Sequence, residues 1–189
     1  MGAGILPTTI YQGKLYFLFG KENKYADTPG FSDIGGSQDG KETFMQTAIR
    51  EGTEELTGFL GTEKSLAKML KRYGTYNIDF NHGKYRMHIF PMKYDPLLPF
   101  YYNNNARYIQ QKLNPEIIKF SKVFEKDEIQ WVCIDSLPKM RSKFRSYFQP
   151  TLDMLQEQKT DIYKFLIGSK LFTPKHKTKH FRSTKKIKK

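Results

Sequence analysis

Three glutamates in the first third of the chain, Glu51, Glu54 and Glu55, constrain its fold more than any other feature. Their i, i+3, i+4 spacing puts all three on one face of an α-helix, because successive helical residues turn by about 100°. Like charges this close repel, so the arrangement costs stability unless a cation binds. Carboxylate oxygens suit hard ions, and the spacing therefore predicts a helical site for Mg²⁺ or Mn²⁺.

The residues around these glutamates support that prediction. Arg50 is placed to orient a carboxylate through paired hydrogen bonds. Gly35 and Gly36 end a short strand before the helix, where bare backbone can approach a metal or a phosphate closely. Glu42 lies near the start of the helix, where the dipole favours a negative charge.

The pattern of apolar residues predicts an α+β fold, because strands alternate irregularly with helices. A strand pair is expected between residues 5 and 19 with a turn at Gln12-Gly13, and a hairpin is expected around Asn81-His82-Gly83. A further strand is expected at 129–134. Helices are expected at 41–56, at 62–73 and at 142–158, the last one bent at Pro150.

We expect one domain at residues 1–158, with an added helix at about 61–73 and a loop insertion at about 95–114. In that loop, Tyr101, Tyr102 and Tyr108 are expected to pack against the domain, or alternatively to stack on a nucleobase. Trp131 is expected in the core. Residues 159–189 form a basic extension, whose last part, 173–189, is expected to be disordered.

Charge and cysteine content restrict the partners and the compartment. The formal net charge is +13, which favours a polyanionic partner such as RNA. Eight of the excess charges fall in residues 173–189, where a solubilising or localising tail is the alternative. Cys133 is the only cysteine, so a cytoplasmic protein is expected, with a nuclear one as the alternative because of the basic tail. No membrane segment is expected, and the oligomeric state is left open.

The run from Gly36 to Glu55 resembles the Nudix box, the signature of the Nudix hydrolase superfamily. The family pattern is Gly, five residues, Glu, seven residues, then Arg-Glu-apolar-x-Glu-Glu-x-Gly-apolar. Gly36, Glu42 and Arg50 are in register with it, and so are the three glutamates. The resemblance extends over about residues 5–158. It implies a Nudix fold, in which a mixed β-sheet lies between helices in an α/β/α sandwich.

Two positions depart from the pattern. Gly52 stands where the box has an apolar residue, and a mid-helix glycine costs about 1 kcal/mol relative to alanine. Thr57 stands where the box closes with glycine, and the glycine follows at Gly58. We therefore expect the helix to end one residue later than in the family, with Gly58 as a left-handed cap.

The resemblance implies a hydrolase that cuts a pyrophosphate linkage with Mg²⁺ or Mn²⁺. Glu51, Glu54, Glu55 and the Gly36 carbonyl would bind the metal, Arg50 would hold the carboxylates, and Glu42 and Gly35 would brace the loop. The general base would be a glutamate of the box or an acidic residue outside it. Glu128 is the first candidate for that second position, ahead of Asp127 and Glu125.

The substrate stays open among three classes. Capped mRNA is favoured slightly, because phosphate contacts dominate RNA affinity and the chain is basic. The alternatives are a diphosphoinositol polyphosphate and a free nucleotide or nucleotide-sugar. A Nudix fold that only binds RNA or another polyanion is an alternative of a different class. The residues predicted to bind a polyanion are Lys139, Arg141, Lys143, Arg145, Lys185 and Lys186.

Overall fold

The first two strands form a hairpin that splits along its length. In the computed structural model, which describes residues 1–23, 26–121 and 123–172 (for Lys119, the backbone only), β1 (Gly2–Tyr11) pairs antiparallel with β2 (Lys14–Glu22) only near the turn. Gln12 and Gly13 both have positive φ, 49° and 74°, as a two-residue hairpin turn of the primed type requires. The predicted turn at Gln12-Gly13 is confirmed.

Two short strands fill the gap where β1 and β2 separate. β3 (Phe31–Ser32) pairs with β2, and β4 (Ile34–Ser37) pairs with β1. Asp33 lies between them, at the point where the chain crosses from one strand to the other. This crossing brings the Gly35-Gly36 backbone alongside the first residues of β1, where Gly4 is opposite Gly35.

Three further strands complete a mixed sheet. β6 (Tyr85–Pro91) runs parallel to β1, and β5 (Tyr76–Phe80) pairs antiparallel with β6 in the predicted hairpin. β7 (Lys126–Cys133) lies on the other side of β2 and begins three residues earlier than the expected strand. The parallel β1–β6 pair among antiparallel neighbours makes the sheet mixed, as the resemblance predicts.

Helices cover both faces of the sheet. One face carries α1 (Phe44–Glu54), α2 (Glu63–Tyr73) and α3 (Leu97–Lys112), around a core that includes Leu18, Leu66 and Trp131. After α4 (Pro115–Phe120), the other face carries α5 (Leu137–Met140), α6 (Gln149–Glu157) and α7 (Lys159–Gly168), around Phe19 and Leu155. The predicted α/β/α sandwich is confirmed. Within the described ranges no helix is long and apolar enough to cross a membrane.

The expected loop insertion at 95–114 is wrong, because most of it is the 16-residue helix α3. Its run of tyrosines and asparagines hides the helical period, yet Tyr102 and Ala106, four residues apart, are fully buried. Asn103 completes the contact with the sheet. Its side chain accepts a hydrogen bond from the N–H of Ile129 and donates one to the carbonyl of Ile129.

The expected end of the domain at residue 158 is also wrong. A 3-10 turn at Ser146–Phe148 precedes α6, so Pro150 occupies the first turn of a helix instead of bending a longer one. Helix α7 follows at once, and its Ile162 and Leu166 are fully buried in the core. The domain therefore extends at least to residue 172, and the tail predicted to be disordered, 173–189, lies outside the described residues.

The glycine that departs from the box pattern, Gly52, has a packing reason. It is buried on the face of α1 that meets the sheet. A Cβ atom there would lie 2.4 Å from Cδ1 of Ile5 and 3.2 Å from Cδ2 of Leu66. Strand β1 and helix α2 thus already fill the space that the family gives to an apolar side chain.

We expect Gly52→Ala to destabilise the protein by about 1–3 kcal/mol, because the overpacking outweighs the gain in helix propensity. Trimming the clashing methyl group with Ile5→Val should recover part of the loss. Urea denaturation of both single variants and the double variant measures the coupling between the two sites. Strictly additive losses would show that the two side chains do not compete for this space.

Candidate metal centre

The start of α1 is fixed by a reciprocal cap. The side chain of Thr43 accepts a hydrogen bond from the N–H of Gln46, and the side chain of Gln46 accepts one from the N–H of Thr43. The helix therefore begins at Phe44, three residues later than expected. Glu42 lies just before the cap, outside the helix, where it can reach Arg50.

The end of α1 corrects the expected position of the cap. Thr57 adopts the left-handed conformation, with φ 50°, and its N–H bonds to the carbonyl of Glu54. The N–H of Gly58 reaches the carbonyl of Thr53 at 2.9 Å, which completes a Schellman motif. Gly58 is left-handed as predicted, with φ 76°, but the left-handed conformation begins one residue earlier, at Thr57, which occupies the family's glycine position. Its hydroxyl is used as well, because it accepts a hydrogen bond from the N–H of Phe124.

Arg50 makes five hydrogen bonds, four of them to carboxylates of the box. It binds both oxygens of Glu42, at 2.9 and 3.1 Å, and the carbonyl of Ser37 at 2.9 Å. Its Nη1 also lies 2.7 Å from Oε1 of Glu51 and 3.3 Å from Oε2 of Glu54. Arg50 holds the pKa of Glu42 at about 2, well below its usual value.

The backbone of Gly36 lies against the carboxylate of Glu51. A Cβ atom at Gly36 would be 2.7 Å from Oε1 of Glu51, so any other residue there would push that carboxylate aside. Gly35 is equally confined, because its Cβ would lie 2.4 Å from the carbonyl oxygen of Ala3. The two glycines therefore let the strand backbone approach both β1 and the carboxylate of Glu51 closely.

The third carboxylate, Glu55, is buried and faces a buried lysine. Lys126, at the start of β7, is fully buried, and its Nζ contacts Glu22 and lies 3.0 Å from Oε1 of Glu55. Burial raises the pKa of Glu55, and the Lys126 ammonium opposes that shift. Burial alone would lower the pKa of Lys126, but Glu55 and Glu22 outweigh it and raise that pKa.

The surrounding residues fix Lys126 in place. Its aliphatic stem lies over Gly20, where a Cβ atom would come within 3.0 Å of it. Arg145 shares Glu22 with it and also binds the hydroxyl of Thr28. Tyr102 of α3 donates a shared hydrogen bond to the carbonyls of Lys126 and Glu55, at 2.8 and 3.1 Å. Lys126 was not predicted as a site residue, because a lysine at a strand start normally faces water.

Asp33 is a second buried carboxyl beside this network. Its Oδ2 accepts a hydrogen bond from the hydroxyl of Tyr85 at 3.0 Å. Burial raises the pKa of Asp33 to about 6, although Tyr85 and Lys126 both act in the opposite direction. The crossing between β3 and β4 therefore carries an acid that ionises in the mildly acidic range.

The side chains at this site meet some of the requirements of a divalent cation and not others. Oε2 of Glu55 is buried and has no hydrogen-bond partner within the described part of the chain, as an atom awaiting a cation would. Glu51 lies close to the Gly36 backbone. Across residues 1–23, 26–121 and 123–172, however, no three acidic, His or Cys side chains converge on one metal position. Arg50 and Lys126 neutralise the carboxylates in this arrangement.

Glu128 is not brought to these carboxylates. It lies opposite Lys21 in the sheet and forms an exposed ion pair with it, at 3.7 Å. Neighbouring residues of a strand point to opposite faces, and Glu22, next to Lys21, is the one that meets Lys126. A register shift between Lys21 and Glu22 separates the two pairs, so that Lys126 reaches Glu55 whereas Glu128 stays with Lys21. Asp127 and Glu125 precede it in the chain.

The predicted cluster of cations near the last helices does not form a single free patch. Arg141 binds Asp153 through two hydrogen bonds, and Arg145 belongs to the Glu22 network. Lys139 and Lys143 are exposed. Lys185 and Lys186 lie outside the described residues.

The chain is an α/β/α sandwich in which two adjacent glycines of β4, where it pairs with β1, lie beside the glutamates of helix α1. The chain matches no protein-family model. No curated protein matches it either. Among solved structures it is similar to a C. elegans Ap4A hydrolase in a binary complex, with a TM-score of 0.50 and 14% identity over 87% of this chain and 99% of that one.

Two further solved structures show similar values. A Nudix hydrolase from M. smegmatis has a TM-score of 0.49 and 15% identity, over 85% of this chain and 86% of that one. A bifunctional NMN adenylyltransferase/ADP ribose pyrophosphatase from Francisella tularensis has a TM-score of 0.48 and 16% identity, over 83% and 41%. The chain shares the fold of the C. elegans protein, with a mixed sheet between two layers of helices, in agreement with the Nudix fold that its box spacing predicts.

We expect Lys126→Met to destabilise the protein by about 3–5 kcal/mol, because it leaves the buried Glu55 carboxylate without its cation. Lys21→Met is the matched control. It breaks an exposed ion pair between the same two strands and should cost at most about 1 kcal/mol. Chemical denaturation compares the two, and equal losses would show that Lys126 does not neutralise Glu55.

The raised pKa of Asp33 predicts a stability that depends on pH. Below the unfolded pKa of 3.8 the carboxyl is neutral in both the folded and the unfolded state. As pH rises from there to about 6, the free energy of unfolding falls, because the unfolded state ionises first. Relative to wild type, Asp33→Asn should therefore gain about 3 kcal/mol between pH 4 and pH 7. Asp153→Asn should change in the opposite direction, since Arg141 lowers the pKa of Asp153. A pH-independent difference at Asp33 would contradict the assignment.

Proposed function

We propose that this protein is a divalent-metal-dependent hydrolase that cleaves a pyrophosphate linkage in a nucleoside diphosphate-type substrate. The observation that carries the proposal is the contact between Gly36 and Glu51, on a helix whose carboxylates are gathered by Arg50. A retired site would have no reason to keep three glutamates on one helical face. The Nudix fold gives this arrangement the setting that hydrolases of that fold share.

Glu51, Glu54, Glu55 and the Gly36 carbonyl would hold the metal. Bound Mg²⁺ or Mn²⁺ would polarise the pyrophosphate and make a bound water acidic. Arg50 keeps Glu51 and Glu54 oriented through its Nη1, and Glu42 anchors Arg50 from the far side. Lys126 fixes one oxygen of Glu55, so that only Oε2 remains for a cation.

Glu54 is the proposed general base. Its side chain is 32% exposed, against 12% for Glu51 and 6% for Glu55, so it is the box glutamate that solvent reaches most easily. The attacking water comes from that solvent and must give up its proton to a group within hydrogen-bond reach. Glu128 is the second choice, because it stays with Lys21 in the sheet.

Capped mRNA is the proposed substrate within this class. The net charge of +13 favours a polyanion, and α3 exposes Tyr101 and Tyr108 at 55% and 59%. Exposed aromatic rings provide stacking surfaces for single-stranded bases. Tyr102, between them in sequence, faces the core instead, so α3 links an aromatic surface to the backbone of Glu55. The C. elegans protein of the same fold acts on Ap4A, which also carries phosphates between nucleosides.

Two other substrates and one other class of protein remain as alternatives. A diphosphoinositol polyphosphate would use exposed cations such as Lys139 and Lys143, and a free nucleotide or nucleotide-sugar needs neither the charge nor the tyrosines. A binding module for RNA would keep the basic surface and show no turnover.

Hydrolysis of capped RNA, a diphosphoinositol phosphate and nucleoside diphosphate derivatives with Mg²⁺ or Mn²⁺ tests the proposal. Glu51→Gln should lower kcat at least about 100-fold, since even outer-shell partners of a metal cost about 10- to 100-fold. Substrate binding should be kept. Glu63→Gln, on the exposed start of α2, is the control and should leave kcat unchanged.

Release of a guanosine diphosphate from capped RNA, lost in Glu51→Gln, would establish decapping. Cleavage of a small substrate alone would keep the hydrolase and discard capped RNA. Binding of RNA with no cleavage of any substrate, and no effect of EDTA, would overturn the enzyme in favour of the binding module.

A further inference from the structure

A cavity of about 560 Å³ lies between α2, the end of β6 and the start of α3, on the outer side of the loop that follows α1. Its walls include Met69, Met92 and Leu98, together with Phe59. This volume is in the range of sites that bind small molecules. Apolar walls with two methionines adapt easily to the shape of an organic ligand.

The cavity is separate from the metal centre. Gly36 lies opposite Ala3, near the start of β1, whereas Pro91 in the cavity wall lies opposite Thr8. Five residues of strand separate these positions, which is roughly 16 Å at about 3.3 Å per residue. A ligand in the cavity would therefore not lie on the box glutamates.

Three exposed cations stand around the cavity: Lys68 and Arg72 on α2, and Lys93 after β6. Lys68 and Arg72 are four residues apart, a like-charge spacing that weakens an isolated helix. Elsewhere on the surface, Arg86 and Arg141 each bind an aspartate through two hydrogen bonds. Around the cavity, no acidic side chain within the described ranges forms an ion pair with any of the three.

Against these three cations the cavity wall carries one carboxylate, that of Asp95. The carboxylate of Asp95 accepts a hydrogen bond from the N–H of Leu97 and so serves the start of α3. The guanidinium of Arg72 lies 5.5 Å from the centre of the Tyr73 ring, which leaves its N–H groups available. The unbalanced charge therefore favours an anion at the mouth of the cavity.

We propose that this cavity is a second binding site, for a small molecule that joins an apolar or planar body to a phosphate group. The body would lie on the methionines and Leu98, and the phosphate would lie between Lys68, Arg72 and Lys93. The chain's own tail is excluded as the occupant by charge. Leu171 lines the cavity, but residues 173–189 carry eight lysines or arginines and no acid.

Titration calorimetry of the full-length chain in EDTA tests the site, with ADP and dodecyl phosphate as probes for a nucleotide and a lipid-like source. The Lys68→Gln/Arg72→Gln variant should bind the preferred probe at least about tenfold more weakly than wild type, since each of the two substitutions removes a charged contact to the phosphate. Lys64→Gln/Lys71→Gln is the matched control, because it removes the same charge from the same helix outside this cavity. It should bind as the wild type does.

Glu51→Gln separates the cavity from the metal centre. It should abolish hydrolysis and leave the affinity for the probe in EDTA unchanged. Loss of probe binding in Glu51→Gln would place the ligand at the box and overturn the proposal. Equal affinity in the two double variants, or no binding of either probe to wild type, would overturn it as well. The proposal would also be overturned if a hexaglutamate peptide bound while ADP and dodecyl phosphate did not, because that result would indicate a protein partner.

Discussion

The ion pair between Lys126 and Glu55 is the interaction on which the rest of the structure depends. A buried ammonium between two buried carboxylates is stable only if every partner is held in place. Gly20 makes room for the aliphatic stem of Lys126, and Arg145 forms a second ion pair with Glu22. Tyr102 donates a hydrogen bond to the backbone carbonyls of Lys126 and Glu55. Lys126 therefore connects four elements: strands β2 and β7, the end of α1 and helix α3.

Arg50 does the same at the solvent side of α1. It satisfies Glu42 with two hydrogen bonds and reaches Glu51 and Glu54 with its remaining nitrogen. The glutamates of the box are thus neutralised by two side-chain cations of different kinds, Arg50, which is 17% exposed, and Lys126, which is fully buried. Because an arginine can swing away more easily than a buried lysine, Glu51 and Glu54 are the carboxylates better suited to exchange a side-chain cation for a metal.

The box and its fold could be predicted from the sequence because their causes are local. The i, i+3, i+4 spacing, the paired glycines and the hairpin turns each depend on neighbouring residues. The partners of Glu55 could not, because Lys126 is 71 positions away and only the β2–β7 register brings it there. Helix α3 was missed since its tyrosines and asparagines mask the period, and Thr57 shows a backbone conformation that its residue type conceals.

Asn103 has a consequence for the exposed edge of the sheet. β7 is an edge of the sheet, and an open edge offers unpaired N–H and carbonyl groups to any other strand. By closing both groups of Ile129 with one side chain, α3 makes the edge unable to continue the sheet at that residue. Without α3, the N–H and the carbonyl of Ile129 would be open to pairing with another strand at this edge.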